Sequence, residues 1–474
     1  MPSSLHNFIS VSCDNWTLEE SLSGKTFIPM GCNYYDPNVG SWPPKIWKKF
    51  NRKRTQHHFQ MMEDLGINAI RVFVSWASFM PTKEKLSRRT LDKCSELLSM
   101  AKEAGIRVNL TGPDFWEGYP EWLSPKDFIG YRHFIDQKYF DAHSTFWELF
   151  AAYYAGEETI YGFDLVNEPF MPWSNERMTK LWNNWLEGKL GFAAHLKKRW
   201  GKFAPKSLSP GKVPVPHNVR QTGSQFLVDY QTFREEMALR WVKNSVEAIR
   251  QVDKNHLITV GLHQSSFPLE EIIPSRYTAF NPHVLEPVLD YIALHWYPFG
   301  NPFTVSSLPH DLPGNLERSL ATLSANARYH NTGKPLIVEE FSYYGGGSPT
   351  FWGGILPYRS EMEQNDFSRR YIETTLGSCA GWLNWPLLDT PLSTDTSAYG
   401  GFYRADGKLK QWGKTFRKLR LQLKYRRWKR KAATTVIPLS RMTALTDAHA
   451  CDTIYQRCLR VFKQGGVMHF DCGV

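Results

Sequence analysis

The chain has no apolar stretch long enough to cross a membrane, and residues 1–15 lack the basic start and long apolar core of a signal peptide. Its seven cysteines are scattered without a Cys-x-x-Cys pair, which argues against a zinc site and gives little support to a disulfide framework. The histidines show no HxxxH pattern, so neither a metal nor another cofactor is expected. These absences indicate a cytoplasmic protein, or a secreted one whose leader has been removed.

Acidic residues are missing from one segment. Between Lys408 and Lys431 there are twelve Lys and Arg and no Asp or Glu. Without these twelve, 45 basic residues remain against 46 acidic ones, a net charge of −1 for the rest of the chain. The main body therefore lacks the basic surface of a nucleic-acid-binding protein, so no nucleic acid partner is expected. Only this segment offers charge for a polyanion or an anionic membrane.

Apolar, β-forming runs recur along the chain with helical patterns between them, which is the arrangement of a parallel α/β fold. The predicted strand ends are residues 30–33, 70–73, 108–111, 163–168, 257–261, 291–295, 336–340 and 381–385. Eight strands are the number that closes a (β/α)8 TIM barrel. Amphipathic helices are predicted between them, for example at residues 57–65, 91–104, 233–252 and 316–329.

The barrel is expected to occupy residues 24–423. Residues 1–23 are predicted to form an N-terminal hairpin that plugs the barrel bottom, and 424–474 a basic C-terminal tail for which disorder is an open alternative. Long loops are predicted after strand 4, at residues 170–231, and after strand 7, at residues 343–362. Long loops at the mouth of a barrel usually serve as lids or substrate walls.

Two of the predicted strands end at an acid. The run YGFDLVNEP reaches Glu168, and the run PLIVEEF reaches Glu339 and Glu340. The C-terminal ends of barrel strands meet at one mouth, so these acids are expected to face each other. Two carboxyl groups about 5–5.5 Å apart can cleave a glycosidic bond with retention of configuration. Neighbouring side chains of an extended strand point to opposite sides, so only one of Glu339 and Glu340 is expected to face the lumen.

The Asn167-Glu168-Pro169 turn after one buried strand, with Glu340-Phe341 after another, resembles the clan of retaining (β/α)8 glycoside hydrolases that contains family 5. Cellulases and mannanases belong to that family. The resemblance extends from about residue 24 to residue 412 and implies a carbohydrate substrate. It implies that Glu168 is the acid/base and that Glu340, rather than Glu339, is the nucleophile.

The resemblance also implies a set of substrate-binding residues, namely Arg71, Asn167, His295, Tyr297 and Trp385. Asn167 would bind the sugar 2-hydroxyl, Tyr297 would contact the nucleophile and Trp385 would form an aromatic platform. Arg71 would keep the nucleophile ionised, since a guanidinium within ~4–6 Å lowers a carboxylate pKa by roughly 1–3 units.

One part of the expected site departs from the family pattern. The third strand ends in TGPDFW, without the histidine that many family 5 members carry there. Asp114 and Trp116 are therefore candidates for that part of the site. The candidate sugar platforms outside the family pattern are Trp116, Trp173, Trp296 and Trp352.

Three other functions are weighed against a cellulase-like or mannanase-like hydrolase. An exo-acting β-galactosidase or β-mannosidase is favoured by the segment from Trp182 to Trp200, which is similar to one in clan relatives. A non-catalytic carbohydrate-binding barrel would be expected to lose one of the two carboxylates, and both are present. A polyanion-binding protein would depend on the basic tail alone. The oligomeric state is not predicted.

Overall fold

The computed structural model describes residues 6–40, 43–123, 134–191, 193–271, 273–298, 316–351 and 354–473. The strands are β1 (Ile9–Val11), β2 (Leu18–Glu20), β3 (Thr26–Phe27), β4 (Met30–Asn33), β5 (Ala69–Ser75), β6 (Arg107–Asp114), β7 (Ile160–Asn167), β8 (Leu257–His263), β9 (Ile292–His295), β10 (Leu336–Phe341), β11 (Thr350–Phe351), β12 (Gly354–Ile355), β13 (Trp382–Asn384), β14 (Thr435–Pro438) and β15 (Met468–Asp471). The helices are α1 (Arg52–Leu65), α2 (Trp76–Phe79), α3 (Arg88–Glu103), α4 (Gln137–Tyr154), α5 (Glu176–Lys189), α6 (Ala193–Trp200), α7 (Gln225–Val252), α8 (Pro282–Leu285), α9 (Leu316–Tyr329), α10 (Glu361–Thr375), α11 (Gln411–Lys424), α12 (Arg441–Thr446) and α13 (Ala448–Lys463). Within these ranges no helix combines the length and the hydropathy needed to cross a bilayer.

A closed barrel of parallel strands forms the centre of the molecule. Its strands follow the order β4, β5, β6, β7, β8, β9, β10 and β13, and β13 closes the ring by pairing with β4. The predicted (β/α)8 barrel is therefore confirmed, and each predicted strand end overlaps one of these strands. The strands are almost entirely buried because the outer helices cover one face and the barrel interior covers the other.

The bottom of the barrel is closed by the N-terminal residues. Strands β1, β2 and β3 form an antiparallel sheet, whose side chains Ile9, Leu18 and Phe27 pack against interior residues such as Tyr161 and Ile337. The sheet includes β3, so it runs past the boundary predicted at residue 23. This apolar layer excludes water from below, and the polar groups of the interior lie above it, toward the mouth.

The segment 170–231 was expected to be a loop, but it is largely helical. It contains α5 and α6 and the first turns of α7. Apolar side chains at helical spacing hold it together, and the ring of Trp182 stacks on Trp185 and Trp200 at centroid distances of 5.4 and 6.2 Å. After β10 the chain forms the short β11–β12 hairpin. Trp352 lies outside the described residues.

The C-terminal tail is folded, so the alternative of a disordered tail is wrong. Strands β14 and β15 pair in parallel, and α13 buries Cys451, Tyr455, Cys458 and Val461 on one face. These four positions follow helical spacing, which is the amphipathic signal that the basic composition of the preceding segment obscured. We call residues 435–471 the C-terminal module.

The C-terminal module packs where the outer layer of the barrel is thin. Between β8 and β9 the described residues form only short helical turns, and the module covers them with Ile437, Met468 and Phe470 among its buried side chains. It also reaches the neighbouring helices, since Tyr455 and Thr322 of α9 share a hydroxyl hydrogen bond of 2.7 Å. The module thus substitutes for a long outer helix between α7 and α9.

Candidate active site

The two predicted carboxyl groups meet at the mouth of the barrel. Glu168 directly follows β7 and Glu340 lies in β10, and carboxyl oxygens of the two approach within 4.8 Å of each other and of a ring nitrogen of His295. Glu168 has a φ of +45°, a left-handed conformation that turns the chain sharply out of the strand. Its backbone N–H is held by the carbonyl of Gly261 at 2.9 Å. The Glu168 side chain is 29% exposed and that of Glu340 only 6%.

Arg71 of β5 connects the groups of the site. Its Nη1 donates to Glu340 Oε1 at 2.5 Å and its Nη2 donates to Asn167 Oδ1 at 2.8 Å. Nη2 also donates to Asp164 Oδ2 at 2.6 Å. Burial opposes the charge of this fully buried guanidinium, but its acidic neighbours, Asp164 first and Glu340 second, raise the pKa of Arg71 above its ordinary value. Arg71 is therefore a permanent cation beside Glu340.

Glu340 receives donors on both carboxyl oxygens. The hydroxyl of Tyr297 donates to Oε2 at 2.8 Å, opposite the contact of Arg71 with Oε1. Burial raises the pKa of Glu340, while His295, Arg71 and the Tyr297 hydroxyl favour its ionised form. Two strong donors on one buried carboxylate hold it in a single orientation at the mouth.

His295 lies between the two carboxyl groups. Its Nδ1 is 3.2 Å from Glu168 Oε1 and 3.5 Å from Glu340 Oε1. Burial lowers the pKa of His295 to about 4, so the ring is neutral at neutral pH and can donate from Nδ1. Gly261 of β8 makes room for the ring, because a Cβ there would lie 2.8 Å from His295 Cε1.

The expectation that only one of Glu339 and Glu340 faces the lumen is wrong. The pairing of β10 with β9 passes from Val338 directly to Glu340, so Glu339 is an extra residue in a β-bulge. Both side chains point inward as a result, Glu340 at the mouth and Glu339 below it. Glu339 Oε1 accepts hydrogen bonds from the Tyr291 hydroxyl and from Asn109 Nδ2, each at 2.7 Å.

A layer of polar residues beneath the mouth supports these groups, and sequence reasoning missed it. Its members are Asn33, Asn109, Thr111, Asp164 and Tyr291. Asp164 accepts from the Thr111 hydroxyl at 2.7 Å on one oxygen and from the Gly261 N–H at 2.7 Å on the other. An acid in the middle of the apolar run YGFDLVNEP was the available signal, since a buried strand rarely carries an unpaired charge.

Aromatic side chains form one wall of the mouth. The ring of Trp385 lies 5.6 Å from Tyr35 and 5.8 Å from Phe73, and Trp116 stacks on Phe73 at 5.3 Å. The Trp385 indole N–H donates to the Ser397 hydroxyl at 2.7 Å, which fixes the plane of the ring. The predicted Trp385 and Trp116 are thus brought to the same wall.

Asp114 lies beside this wall. It accepts a hydrogen bond from the backbone N–H of Trp116 at 2.6 Å. Burial raises the pKa of Asp114 to about 8, so its carboxyl group can act as a hydrogen-bond donor below that pH.

Two of the other predicted platforms have structural contacts instead. Trp296 is fully buried, and its indole N–H donates to Glu270 Oε1 at 2.8 Å, so the prediction that it forms a platform is wrong. Trp173 donates to the carbonyl of Pro216 at 3.1 Å and packs under the guanidinium of Arg234 at 5.0 Å. These contacts hold the segment after β7 against α7.

The same three groups, Glu168, His295 and Glu340, offer ligand atoms close enough for a metal ion. Both oxygens of Glu340 already accept short hydrogen bonds from Arg71 and Tyr297. Arg71, a permanent cation, and the Tyr297 hydroxyl therefore occupy the positions that a metal ion would need. This arrangement fits a catalytic carboxyl pair better than a metal centre.

An eight-stranded parallel barrel whose mouth holds two facing carboxyl groups has the architecture of a (β/α)8 glycosidase. A family model described as cellulase (glycosyl hydrolase family 5) matches residues 30–387, most of the chain. The chain belongs to glycosyl hydrolase family 5 and is a glycoside hydrolase acting on O-glycosidic bonds. Its substrate is a carbohydrate.

Solved structures share this fold at low identity. A variant of GH5_18 from Streptomyces cattleya in complex with Manβ1-4GlcNAc gives a TM-score of 0.66 at 14% identity, covering 94% of each chain. An exo-β-1,4-mannosidase from Opitutaceae bacterium strain TAV5 gives 0.65 at 16% identity, covering 98% of this chain and 72% of its own. A cold-adapted β-galactosidase from Rahnella sp. R3 gives 0.73 at 14% identity, covering 98% and 66%. No curated protein matches the sequence.

Proposed function

We propose that the enzyme cleaves a β-glycan or β-oligosaccharide by double displacement, with Glu340 as nucleophile and Glu168 as acid/base. The observation that carries the proposal is the approach of their carboxyl oxygens to within 4.8 Å. Retaining enzymes hold the two carboxyl groups about 5–5.5 Å apart, whereas inverting enzymes need about 6.5–9.5 Å to admit a water. The close approach supports direct attack by Glu340 on the anomeric carbon.

The first displacement breaks the bond between the anomeric carbon and the leaving oxygen. Glu340 Oε attacks the anomeric carbon and forms an ester, while Glu168 transfers its proton to the departing oxygen. Two carboxyl groups at this separation favour holding one proton between them, which suits one acid and one anion. In the second displacement Glu168 takes a proton from water, and the resulting hydroxide displaces Glu340.

The neighbours of the pair support these roles. Arg71 at 2.5 Å and Tyr297 at 2.8 Å stabilise the anion of Glu340 and aim its oxygens. Neutral His295 donates to either carboxylate and keeps Glu168 beside the scissile bond. Its neutrality matters because a cation there would favour loss of the Glu168 proton.

Sugar contacts are assigned to the residues around the pair. The Oδ1 of Asn167 is held by Arg71 at 2.8 Å, which leaves the amide NH2 to donate to a sugar 2-hydroxyl. Trp385 offers an aromatic face to the pyranose ring, and Trp116 extends that wall. Asp114 adds a polar group for a further hydroxyl.

A second candidate, an exo-acting β-mannosidase or β-galactosidase, has one specific support. The structural relatives named above include an exo-β-1,4-mannosidase, a β-galactosidase and an enzyme bound to Manβ1-4GlcNAc. A panel of substrates tests whether the enzyme acts on a polysaccharide or on a short oligosaccharide. The panel comprises the 4-nitrophenyl β-glucoside, β-mannoside and β-galactoside together with β-glucan and β-mannan.

Variants of the two carboxyl groups test the catalytic roles. Glu340→Ala is expected to lose at least about 10⁴-fold in kcat, and azide should restore part of the activity with an inverted glycosyl azide as product. Glu168→Ala should lose activity on unactivated substrates but keep most of its first-step rate with a 2,4-dinitrophenyl glycoside, whose leaving group needs no proton.

The matched control is Glu270→Gln, a buried acid that pairs with Trp296 and lies outside the pair. If Glu340→Ala is as active as the control on an aryl β-glycoside, Glu340 is not the nucleophile. The cytoplasmic location expected from the sequence stays a prediction.

A further inference from the structure

Three buried carboxyl groups share one guanidinium beneath the mouth of the barrel. Arg71 lies 2.6 Å from Asp164 Oδ2, 2.5 Å from Glu340 Oε1 and 3.4 Å from Glu339 Oε2. The side chains of Arg71, Asp164 and Glu339 have no exposed surface. If all three acids were ionised, a net charge of −2 would be buried around this one cation. Burying unpaired charge is costly, and buried acids relieve it by keeping a proton.

The hydrogen bonds single out the acid that keeps the proton. Asp164 accepts from Arg71, Thr111 and the Gly261 N–H, so both of its oxygens have donors. Glu340 likewise has a donor on each oxygen. Glu339 differs, because its two donors both meet Oε1, and among the described residues its buried Oε2 has no hydrogen-bond partner.

Arg71 does not supply that missing donor. The Arg71 Nε that faces Glu339 Oε2 at 3.4 Å is already committed to the Thr111 hydroxyl at 2.7 Å and to Asp164 at 3.1 Å. A buried carboxylate oxygen that no donor reaches is poorly compensated when it carries charge, and this favours the protonated form of Glu339 over that of its two neighbours.

We propose that Glu339 is a positioning residue that stays protonated while the enzyme works, so that the charge of Arg71 is directed to Glu340 and Asp164. The inference rests on the proposed roles of Glu168 and Glu340. A neutral Glu339 leaves the guanidinium in place to hold both the nucleophile and Asn167. An ionised Glu339 would compete for the same guanidinium and draw it down the barrel, away from the mouth.

The charged and titratable groups around Glu339 agree with this protonation state. They are Arg71 from β5, Tyr161 and Asp164 from β7, Tyr291 from just before β9, and Glu340 from β10 itself. The strands β4 and β6 contribute the neutral side chains Asn33 and Asn109. Burial, followed by the charge of Asp164, raises the pKa of Glu339 to about 8, although Arg71 and the Tyr291 hydroxyl oppose the shift. The proton is therefore present at neutral pH and is lost as the pH rises through about 8.

The test is the alkaline limb of the pH profile, measured where Glu168 cannot contribute to it. All variants carry Glu168→Gln and also Asp114→Asn, because burial raises the pKa of Asp114 to about 8 as well. The substrate is the 2,4-dinitrophenyl glycoside of the best sugar in the panel. For this pair kcat/KM reports the attack of Glu340 without acid assistance. We expect kcat/KM to fall above about pH 8 in this background.

Adding Glu339→Gln is expected to keep kcat/KM at pH 6 within threefold of the background value. It should also move the alkaline fall in kcat/KM to a pH at least one unit higher. Tyr291→Phe removes a donor that stabilises the Glu339 anion, so it should also move the fall to higher pH. Glu270→Gln is the matched control, since burial raises the pKa of Glu270 to about 8 as well. Glu270 pairs with Trp296, and this control should leave the limb unchanged.

Three results would overturn the proposal. The first is a loss of more than a hundredfold in kcat/KM at pH 6 when Glu339→Gln is added. The second is an alkaline limb that Glu339→Gln does not move. The third is a background enzyme whose kcat/KM does not fall at alkaline pH. The last result needs no variant of Glu339 and so does not depend on its folding. Glu340→Gln in the same assay separates the two ideas, since activity there would refute the catalytic roles, and its loss leaves only the inference on Glu339 at stake.

Discussion

Ending the chain at Lys431 is expected to destabilise the catalytic barrel, because the C-terminal module covers apolar barrel surface. Four barrel side chains that belong to its packing clusters are at most 4% exposed, namely Phe267, Leu269, Tyr277 and Tyr329. Full burial of such a side chain contributes about 1.5–3 kcal/mol. Leaving all four about half exposed therefore costs the barrel roughly 3–6 kcal/mol, a large part of the about 5–15 kcal/mol of a typical domain.

Thermal unfolding measures this cost. We expect the midpoint Tm of the shortened chain to fall by roughly 3–7 °C, because an unfolding entropy of about 2.1 cal/mol/K per residue amounts to about 0.9 kcal/mol/K for a chain of this length. Loss of activity should follow the same curve. Scans at one rate are compared, because large chains often unfold irreversibly. A shortened chain that unfolds at the temperature of the full chain and keeps full activity would refute the packing argument.

A pair of single substitutions gives the matched control. Phe470 of β15 lies 5.4 Å from the ring of Phe267 and 5.9 Å from Tyr329, whereas its neighbour His469 points to solvent. Phe470→Ala is expected to cost about 3–5 kcal/mol of unfolding free energy. His469→Ala should change it by less than about 0.5 kcal/mol. Equal effects of the two would show that the module does not pack on the barrel through β15.

Four further substitutions separate catalytic from structural roles. Gly261→Ala places a Cβ 2.8 Å from His295 Cε1 and should displace the ring, so kcat should fall by about a hundredfold. A crystal structure of the variant in which the His295 ring has not moved would refute this explanation. Tyr297→Phe removes a hydrogen bond to a charged carboxylate, which is worth about 1.5–3 kcal/mol. It should therefore lower kcat/KM roughly 10–100-fold. Unchanged kinetics would show that the Tyr297 hydroxyl does not stabilise the Glu340 anion. Trp116→Ala should raise KM without lowering Tm, while Trp296→Phe should lower Tm and leave KM unchanged; the reverse pattern would exchange their roles.

The paired acids were predictable because their signal is local. An apolar run that ends at Glu168, and another that ends at Glu340, each lie within nine residues or fewer of sequence. Strand number and barrel closure follow from repeating such runs, so the mouth could be placed before any contact was known. The family pattern placed Arg71 beside Glu340, and Arg71 Nη1 lies 2.5 Å from Glu340 Oε1, whereas the contact of Arg71 with Asn167 was not predicted.

Other parts of the site depend on contacts between distant segments. The β-bulge at Glu339 arises from the pairing of β10 with β9, which local alternation cannot reveal. Trp296 and Tyr297 are neighbours in sequence, yet one is a core residue and the other contacts Glu340. The burial of a tryptophan depends on what packs against it, and sequence spacing contains little of that information.

The sequence by itself determined the strand ends, the barrel and the two carboxyl groups, since strand formation and its termination depend on neighbouring residues. Only the tertiary structure decided that Asn33, Asp164 and Glu339 surround Arg71, and that the tail folds onto the barrel. These contacts join residues up to hundreds of positions apart, and a buried charge selects its partners by distance in space rather than along the chain.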